Sequence, residues 1–387
     1  MNEYRSLDEG EVTRLAEDAL LGAFGVPVRL SQIERISRED RRNLVLRAKA
    51  HFGRDVRAVI IKATRLASYC ATSATAFIDS GLVTEWTARE VLKQADANVH
   101  SPLLAGDARN GIIVFDDLGA QLPSLVKSLL EGTALQAEAD LAAYAFAMAR
   151  LHVATVGCLQ DHQKALASAF PHATAPGLLA ADWLEQPLPE LAGQSLPSEE
   201  LDAIRRRLAN PGPWLALVHA DGCPDNVLLD AGKARLIDFE FSAPGHMLLD
   251  AVYWRVGFPS CWCAGMVPDE VANRIERVYR DEVVKALPVA AHEQAFVLEM
   301  TTVIVARTVF SLHWMLNDAL AVDSVWGTAT RRSRILWYLQ VAINACERAG
   351  AFPKLSATLV IWLSHLHQEW PASESLPNYP AFRNFTT

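Results

Sequence analysis

The segment His219-Ala-Asp-Gly-Cys-Pro-Asp-Asn226 is followed about a dozen residues later by Ile237-Asp-Phe-Glu240. It offers a carboxylate at Asp221, a carboxamide at Asn226 and a second carboxylate at Asp238. Phosphoryl transfer needs such a set. One carboxylate accepts or orients the proton of an acceptor hydroxyl. The other oxygen ligands hold Mg2+ against the phosphates, whose charge otherwise opposes attack.

The Asp-to-Asn spacing equals that of the protein-kinase pattern H-R-D-x-x-x-x-N followed by D-F-G. His219-x-Asp221-x-x-x-x-Asn226 with Ile237-Asp-Phe-Glu240 also resembles the aminoglycoside phosphotransferase and choline/ethanolamine kinase group. The usual form in that group is H-G-D-x-x-x-x-N and then I-D-[WF]-E. The chain departs from it at Ala220, where the group has Gly. The resemblance implies Asp221 as the catalytic residue, Asn226 and Asp238 as ligands of Mg2+, and a mainly structural His219. Glu240 either contacts the metal or holds the loop. Asp250 corresponds by position to an acid that braces the catalytic loop by accepting its backbone hydrogen bonds.

The resemblance extends upstream. Lys62, near the end of the run Ala58-Val-Ile-Ile-Lys62, is similar to a phosphate-binding lysine. Glu85 is similar to the helix glutamate that pairs with it, and Glu90 is its rival. Such an ion pair aims a long ammonium at phosphates rather than at solvent. Phe115-Asp-Asp-Leu-Gly119 looks like the segment whose backbone binds a nucleotide base, with Asp116 and Leu118 as its candidates. The turn 37–43 contains no glycine. Arg41 or Arg42 there supplies charge that a glycine loop supplies through backbone amides, or the turn is merely solvated.

Elements able to position these groups can be read from periodicity. An amphipathic helix is expected over 7–24, and β-like runs over 28–36, 44–50 and 56–63. A helix over 74–94, a strand over 111–114 and a strong helix over 137–156 follow. A connecting region, 170–213, holds a short helix near 199–209. Then come β-like runs at 215–218, 227–229 and 234–237, the last two joined as a hairpin. Everything after about residue 248 has a helical pattern. The expected fold class is α+β: a bilobal protein-kinase-like fold with a small β-rich N-lobe and a large, mostly helical C-lobe. Residues 1–115 form the nucleotide-binding lobe with its leading helix, 116–120 the hinge, and 121–387 the catalytic and substrate-binding lobe.

The resemblance implies a small-molecule kinase moving the γ-phosphoryl group of Mg-ATP, or GTP, to a hydroxyl of a small metabolite or aminoglycoside-like substrate. Its acceptor site lies among helices after Asp238, where Arg255, Phe258, Cys261, Trp262, His313, Trp314 and Asp318 are candidates by location. The alternatives are a catalytically inactive kinase-like metabolite-binding protein and a non-haem iron oxygenase using His219, Asp221 and His246. A protein kinase is disfavoured by the lack of an Ala-Pro-Glu element and of an activation segment.

Bulk properties set limits. A chain of 387 residues suffices for two lobes. The net charge of −9 argues against a nucleic-acid partner. Acids near the N-terminus argue against a secretory signal. The apolar stretch 298–316 contains Arg307 and His313 and reads as a core helix rather than a membrane span. A cytoplasmic location follows from these readings, and composition says nothing of the oligomeric state. Six cysteines do not suggest a disulfide framework, so a reducing compartment is the simpler assumption. Cys261-Trp-Cys263 lacks the second pair of a zinc knuckle and reads as two thiols beside a buried Trp.

Overall fold

Apolar residues alternate with polar ones along 43–64, and there the chain forms two long antiparallel strands joined by a tight turn. The computed structural model describes residues 4–72, 81–173, 178–179, 182–258 and 260–383. Contacts divide the chain into two units. The first comprises Met1–Leu122, Gly157–Gly177 and Leu236–Pro244; the second comprises Pro123–Val156, Leu178–Arg235 and Gly245–Thr387.

The first unit opens with helix α1 (Glu9–Phe24), capped by the Asp8 side chain, which accepts the Glu11 N–H, and ended by Gly25 at φ 69°. Strands β1 (Val28–Arg35), β2 (Asn43–Phe52) and β3 (Asp55–Thr64) precede helix α2 (Gly81–Gln94). Strands β4 (Leu103–Asp107) and β5 (Ile112–Asp116) complete an antiparallel sheet of order β1-β2-β3-β5-β4. One sheet face buries Leu44, Leu46, Val59, Ile61 and Val114 against Val12, Ala16 and Leu20 of α1. The opposite face places Ile113, Phe115 and half-buried Ile60 against Leu82 and Val83 of α2, with Leu166 of the later helix Leu159–Ala169 and Phe170, which caps that helix. Strand alternation therefore aims Lys62 at the α2 side.

Helix α2 was expected from residue 74; the part before Gly81 lies outside the described residues. Strand β4 was not foreseen. Its sequence, Leu-Leu-Ala-Gly-Asp, has no β-branched residue, and Gly106 is required because the Trp86 ring occupies the space of a Cβ.

The second unit is mostly helical. Its main helices are α3 (Ala134–Ala154), α4 (Asp269–Val283), α5 (Glu293–Ala321), α6 (Arg331–Ala349) and α7 (Pro353–Glu369). A short strand, β6 (Leu215–Val218), leads into the loop of Asp221. The hairpin of β7 (Val227–Asp230) and β8 (Lys233–Leu236) turns through Ala231 and Gly232, both at positive φ. Helix α5 is long and apolar enough to cross a membrane by length and composition, yet most of its apolar stretch is buried within the unit. The region after residue 248 is not wholly helical. Val325–Trp326 and Ala329–Thr330 form a small antiparallel ladder, because Gly327 at φ 65° reverses the chain. The fold class is thus an antiparallel sheet unit combined with a helical unit.

Candidate functional site

In the first unit the Lys62 ammonium lies 2.7 Å from Glu85 Oε2, 2.6 Å from Asp238 Oδ1 and 3.3 Å from Glu240 Oε2. Glu85 projects from α2, and its second oxygen accepts from Arg89 at 3.1 and 2.7 Å. Arg89 stacks over Phe115, 4.0 Å from the ring centroid, and donates to the Ser101 carbonyl. Arg42 pairs with Glu240 Oε1 at 2.5 Å and also lies over Phe241. Asn43 donates to Glu240 Oε2 at 3.4 Å. Lys62, Arg42 and Arg89 thus face Glu85, Asp238 and Glu240, so burial of these charges is compensated cation for anion.

The titration behaviour follows from this geometry. Burial works to lower the Lys62 pKa, but Asp238, Glu85 and Glu240 outweigh it and hold the ammonium charged. Burial also opposes the charge on Glu85, yet Lys62 and Arg89 bring its carboxyl down to about 2. Asp238 moves the other way. Burial, reinforced by Glu240 and Glu85, raises its pKa despite the neighbouring ammonium.

Asp116 forms a forked pair with Arg57 of β3, at 2.7 and 2.8 Å, and its N–H is bonded to the Pro102 carbonyl. The Asp116 carboxylate is thereby committed within the sheet. Asp117 accepts from Arg47 Nε at 2.8 Å, and Leu118 is half-buried.

Asp221 and Asn226 belong to the second unit. Fully buried Asp250 accepts the N–H groups of His219, at 2.6 Å, and Ala220, at 2.9 Å, as its position in the sequence implied. His152 bonds the same carboxylate at 3.1 Å and Tyr279 at 2.7 Å. Burial opposes the Asp250 charge, but its contacts with His152 and His219 lower its pKa overall. This bracing holds Ala220 at φ 64°, a left-handed conformation that explains why glycine suits the position. The Ala220 carbonyl accepts from Tyr253 at 2.8 Å and from Arg307 at 3.5 Å. Gly222 cannot carry a side chain, because a Cβ there would sit 2.5 Å from the Tyr144 hydroxyl. Asn226 Nδ2 donates to the Asp221 carbonyl at 3.0 Å and to Asp221 Oδ2 at 3.1 Å. The amide thus points its nitrogen at Asp221 and leaves Oδ1 as its acceptor oxygen.

The cysteine reading is corrected. Cys223 and Cys261 form a disulfide, with Cα atoms 5.6 Å apart, across a sequence separation of 38. Trp262 is not buried either; it is 43% exposed, and its Nε1 donates to Asp225 at 3.0 Å. Spacing alone could not reveal the bridge, since Cys261 is brought to the Asp221 loop only by tertiary packing. Buried Arg334 fixes that segment by donating to the carbonyls of Cys261 at 2.8 Å and Trp326 at 2.7 Å. The Cys223 sulfur lies 3.1 Å from Asp221 Oδ1, a contact without a proton in the bridged form.

Among the acceptor candidates, Phe258 is fully buried, Arg255 is tied to Glu276 and Asn273, and Asp318 pairs with Arg331 at 2.7 Å. Trp314 is exposed and His313 half-buried. Arg89, Tyr253 and Arg307 were missed by sequence reasoning. Arg89 carried a usable signal, lying one turn beyond Glu85 on the same face; the others carried none. Among the described residues no group of His, Cys, Asp and Glu forms a metal-binding cluster of its own.

The sequence model described as "Phosphotransferase enzyme family" matches residues 85–277. Among solved structures, a choline kinase from Cryptosporidium parvum Iowa II is similar at TM-score 0.50 and 12% identity, covering 92% of this chain and 100% of that one. A choline/ethanolamine kinase family protein from Mesorhizobium loti has TM-score 0.45 and 18% identity, covering 92% and 99%. A Plasmodium vivax ethanolamine kinase has TM-score 0.47 and 10% identity, covering 85% and 84%. No curated protein matches at a significant level. At such identities, the likeness to the Cryptosporidium structure speaks to fold alone, that of the protein-kinase-like enzymes.

Proposed function

Because the chain belongs over residues 85–277 to the phosphotransferase enzyme family, we propose that it transfers the γ-phosphoryl group of Mg-ATP, or GTP, to a hydroxyl of a small molecule. The observation that carries this reading is the Lys62 cluster: a buried ammonium held between Glu85 and Asp238.

In this reading Lys62 binds the nucleotide phosphates and Glu85 keeps its ammonium aimed at them. Arg42 adds charge beside the phosphates. Leu118 offers backbone groups to the base, whereas the N–H and carbonyl of Asp116 are held by Pro102 and Ser101. Asp221 orients the acceptor hydroxyl and takes up its proton, with Asn226 fixing the carboxylate. Asp238 and the free oxygen of Asn226 are hard donors of the kind Mg2+ prefers, and the Asp238 carboxylate, raised in pKa by burial, is a group that a cation would relieve. When bound, the metal neutralises phosphate charge. A cytoplasmic location belongs to the same proposal.

The test is a pair of variants assayed for ADP formation and for binding of Mg-ATP. Asp221→Ala is expected to abolish transfer while leaving nucleotide affinity near that of the parent, whereas Asp238→Ala weakens Mg-nucleotide binding as well. Equal loss of nucleotide affinity in both variants contradicts these roles. Mg-ATP binding with no transfer to any hydroxyl compound would favour an inactive binding protein instead.

A further inference from the structure

The disulfide of Cys223 and Cys261 touches the residue to which the phosphotransfer reading gives the acceptor's proton. Cys223 lies two positions after Asp221, and its sulfur is 3.1 Å from Asp221 Oδ1. The other carboxylate oxygen, Oδ2, accepts from Asn226 Nδ2 at 3.1 Å. The two oxygens of Asp221 therefore have different neighbours, an amide on one and a sulfur on the other.

What that sulfur does depends on its oxidation state. In the disulfide it carries no hydrogen and cannot donate. As a thiol it places an S–H within bonding reach of the carboxylate, a weak donor strengthened by the charge of its acceptor. Both sides of the bridge are also held by other bonds. Asp250 grips the Ala220 N–H at 2.9 Å and Asn226 the Asp221 carbonyl at 3.0 Å. Buried Arg334 grips the Cys261 carbonyl at 2.8 Å. Opening the S–S bond thus leaves Cys223 beside Asp221, with a proton added.

We propose that Cys223–Cys261 is a redox site that controls Asp221: bridged, it permits transfer; reduced, the Cys223 thiol donates to Asp221 Oδ1, lowers its basicity and slows transfer. The inference rests on the phosphotransfer reading above. The reductant is a dithiol. One of its thiolates attacks the Cys223 sulfur, since Cys223 is the less covered residue of the pair, 5% exposed against 1%. The S–S bond breaks with its electron pair on Cys261, which takes up a proton. The second thiol then closes the reductant's own disulfide and releases Cys223 as a thiol. Two electrons and two protons have passed from the dithiol to the bridge. Exchange with a disulfide oxidant reverses the sequence. In a reducing cytoplasm, transfer is then switched on by oxidation.

The experiment compares two variants of the full chain that lose the same covalent constraint. Cys261→Ala keeps the Cys223 thiol, and Cys223→Ala removes it. ADP formation from Mg-ATP is followed with water, glycerol, choline and kanamycin as acceptors, and Mg-ATP affinity by calorimetry. Cys261→Ala is expected to turn over about tenfold more slowly than Cys223→Ala at equal Mg-ATP affinity. The unreduced parent should slow by a similar factor in dithiothreitol and recover on reoxidation, whereas Cys223→Ala does not respond. Cys70→Ser, which alters an exposed thiol, should respond as the parent does. The infrared difference between the two alanine variants should contain an S–H stretch lowered from that of a thiol in water. Equal turnover of these variants, a parent indifferent to dithiothreitol, or an unshifted S–H band overturns the proposal. Mg-ATP binding without ADP from any form of the chain overturns the phosphotransfer reading itself.

Discussion

Lys62 and Asp238, 176 positions apart in the chain, meet at 2.6 Å inside one unit, with Glu85 on the other side of the ammonium. Removing the cation takes the ion-pair partner from Asp238 and leaves buried Glu85 with Arg89 alone. Lys62→Ala is expected to destabilise the fold by about 3–5 kcal/mol and to abolish nucleotide binding. Denaturant titration and nucleotide binding check both. A variant of parental stability would show that the charges are not compensating one another.

Glu85 sets an acid limb of stability. Its carboxyl is held at about 2 against an ordinary 4.5. Because the folded value is depressed, the stabilisation is full above pH 4.5 and is lost as the pH falls towards 2. The loss is about 3 kcal/mol. Asp238, raised by burial, has the opposite sign and blunts the effect. Unfolding free energy measured from pH 6 downward should fall less steeply in Glu85→Gln than in the parent. Parallel curves would remove Glu85 as the source.

Ala220 sits at φ 64° where glycine would be relaxed. Ala220→Gly relieves roughly 1–2 kcal/mol of left-handed strain and gives back about 0.4–1 kcal/mol through the freer unfolded chain. The net expectation is a gain between about zero and about 1.6 kcal/mol, visible as a higher denaturation midpoint at unchanged slope. A clear loss of stability would mean the observed backbone is not strained.

Asp250 carries the loop's backbone bonds. Asp250→Ala strands the buried N–H groups of His219 and Ala220 and the partner nitrogen of His152. We expect a loss of about 3 kcal/mol or more, with Asp250→Asn intermediate because it keeps one acceptor. Equal stability of the alanine and asparagine variants would count against this account.

The Cys223–Cys261 bridge closes a loop of sequence separation 38 next to Asp221. Chain-entropy reasoning for such a loop gives a contribution of about 4 kcal/mol. Reduction with a small thiol, or Cys261→Ser, should lower stability by an amount of that order, and non-reducing mass spectrometry would detect the bridge directly. Two free thiols in the purified, unreduced protein would dismiss it.

Local chemistry and local period were enough to recover much of this molecule. The spacing of Asp221, Asn226 and Asp238 pointed to the phosphoryl transfer proposed above, because ligand and base types are set by side-chain chemistry, which needs no coordinates. Helix α1, the strands up to β3 and the β7–β8 hairpin follow from periodicity and turn residues, which act over a few positions. What depended on tertiary structure joins residues far apart: Glu240 shared among Lys62, Arg42 and Asn43, Cys223 bridged to Cys261, and Trp262 turned outward beside Asp225. No period or spacing encodes such meetings. They are decided when the apolar faces of sheet and helices bury themselves and carry the polar side chains to whatever partners the fold then sets within reach.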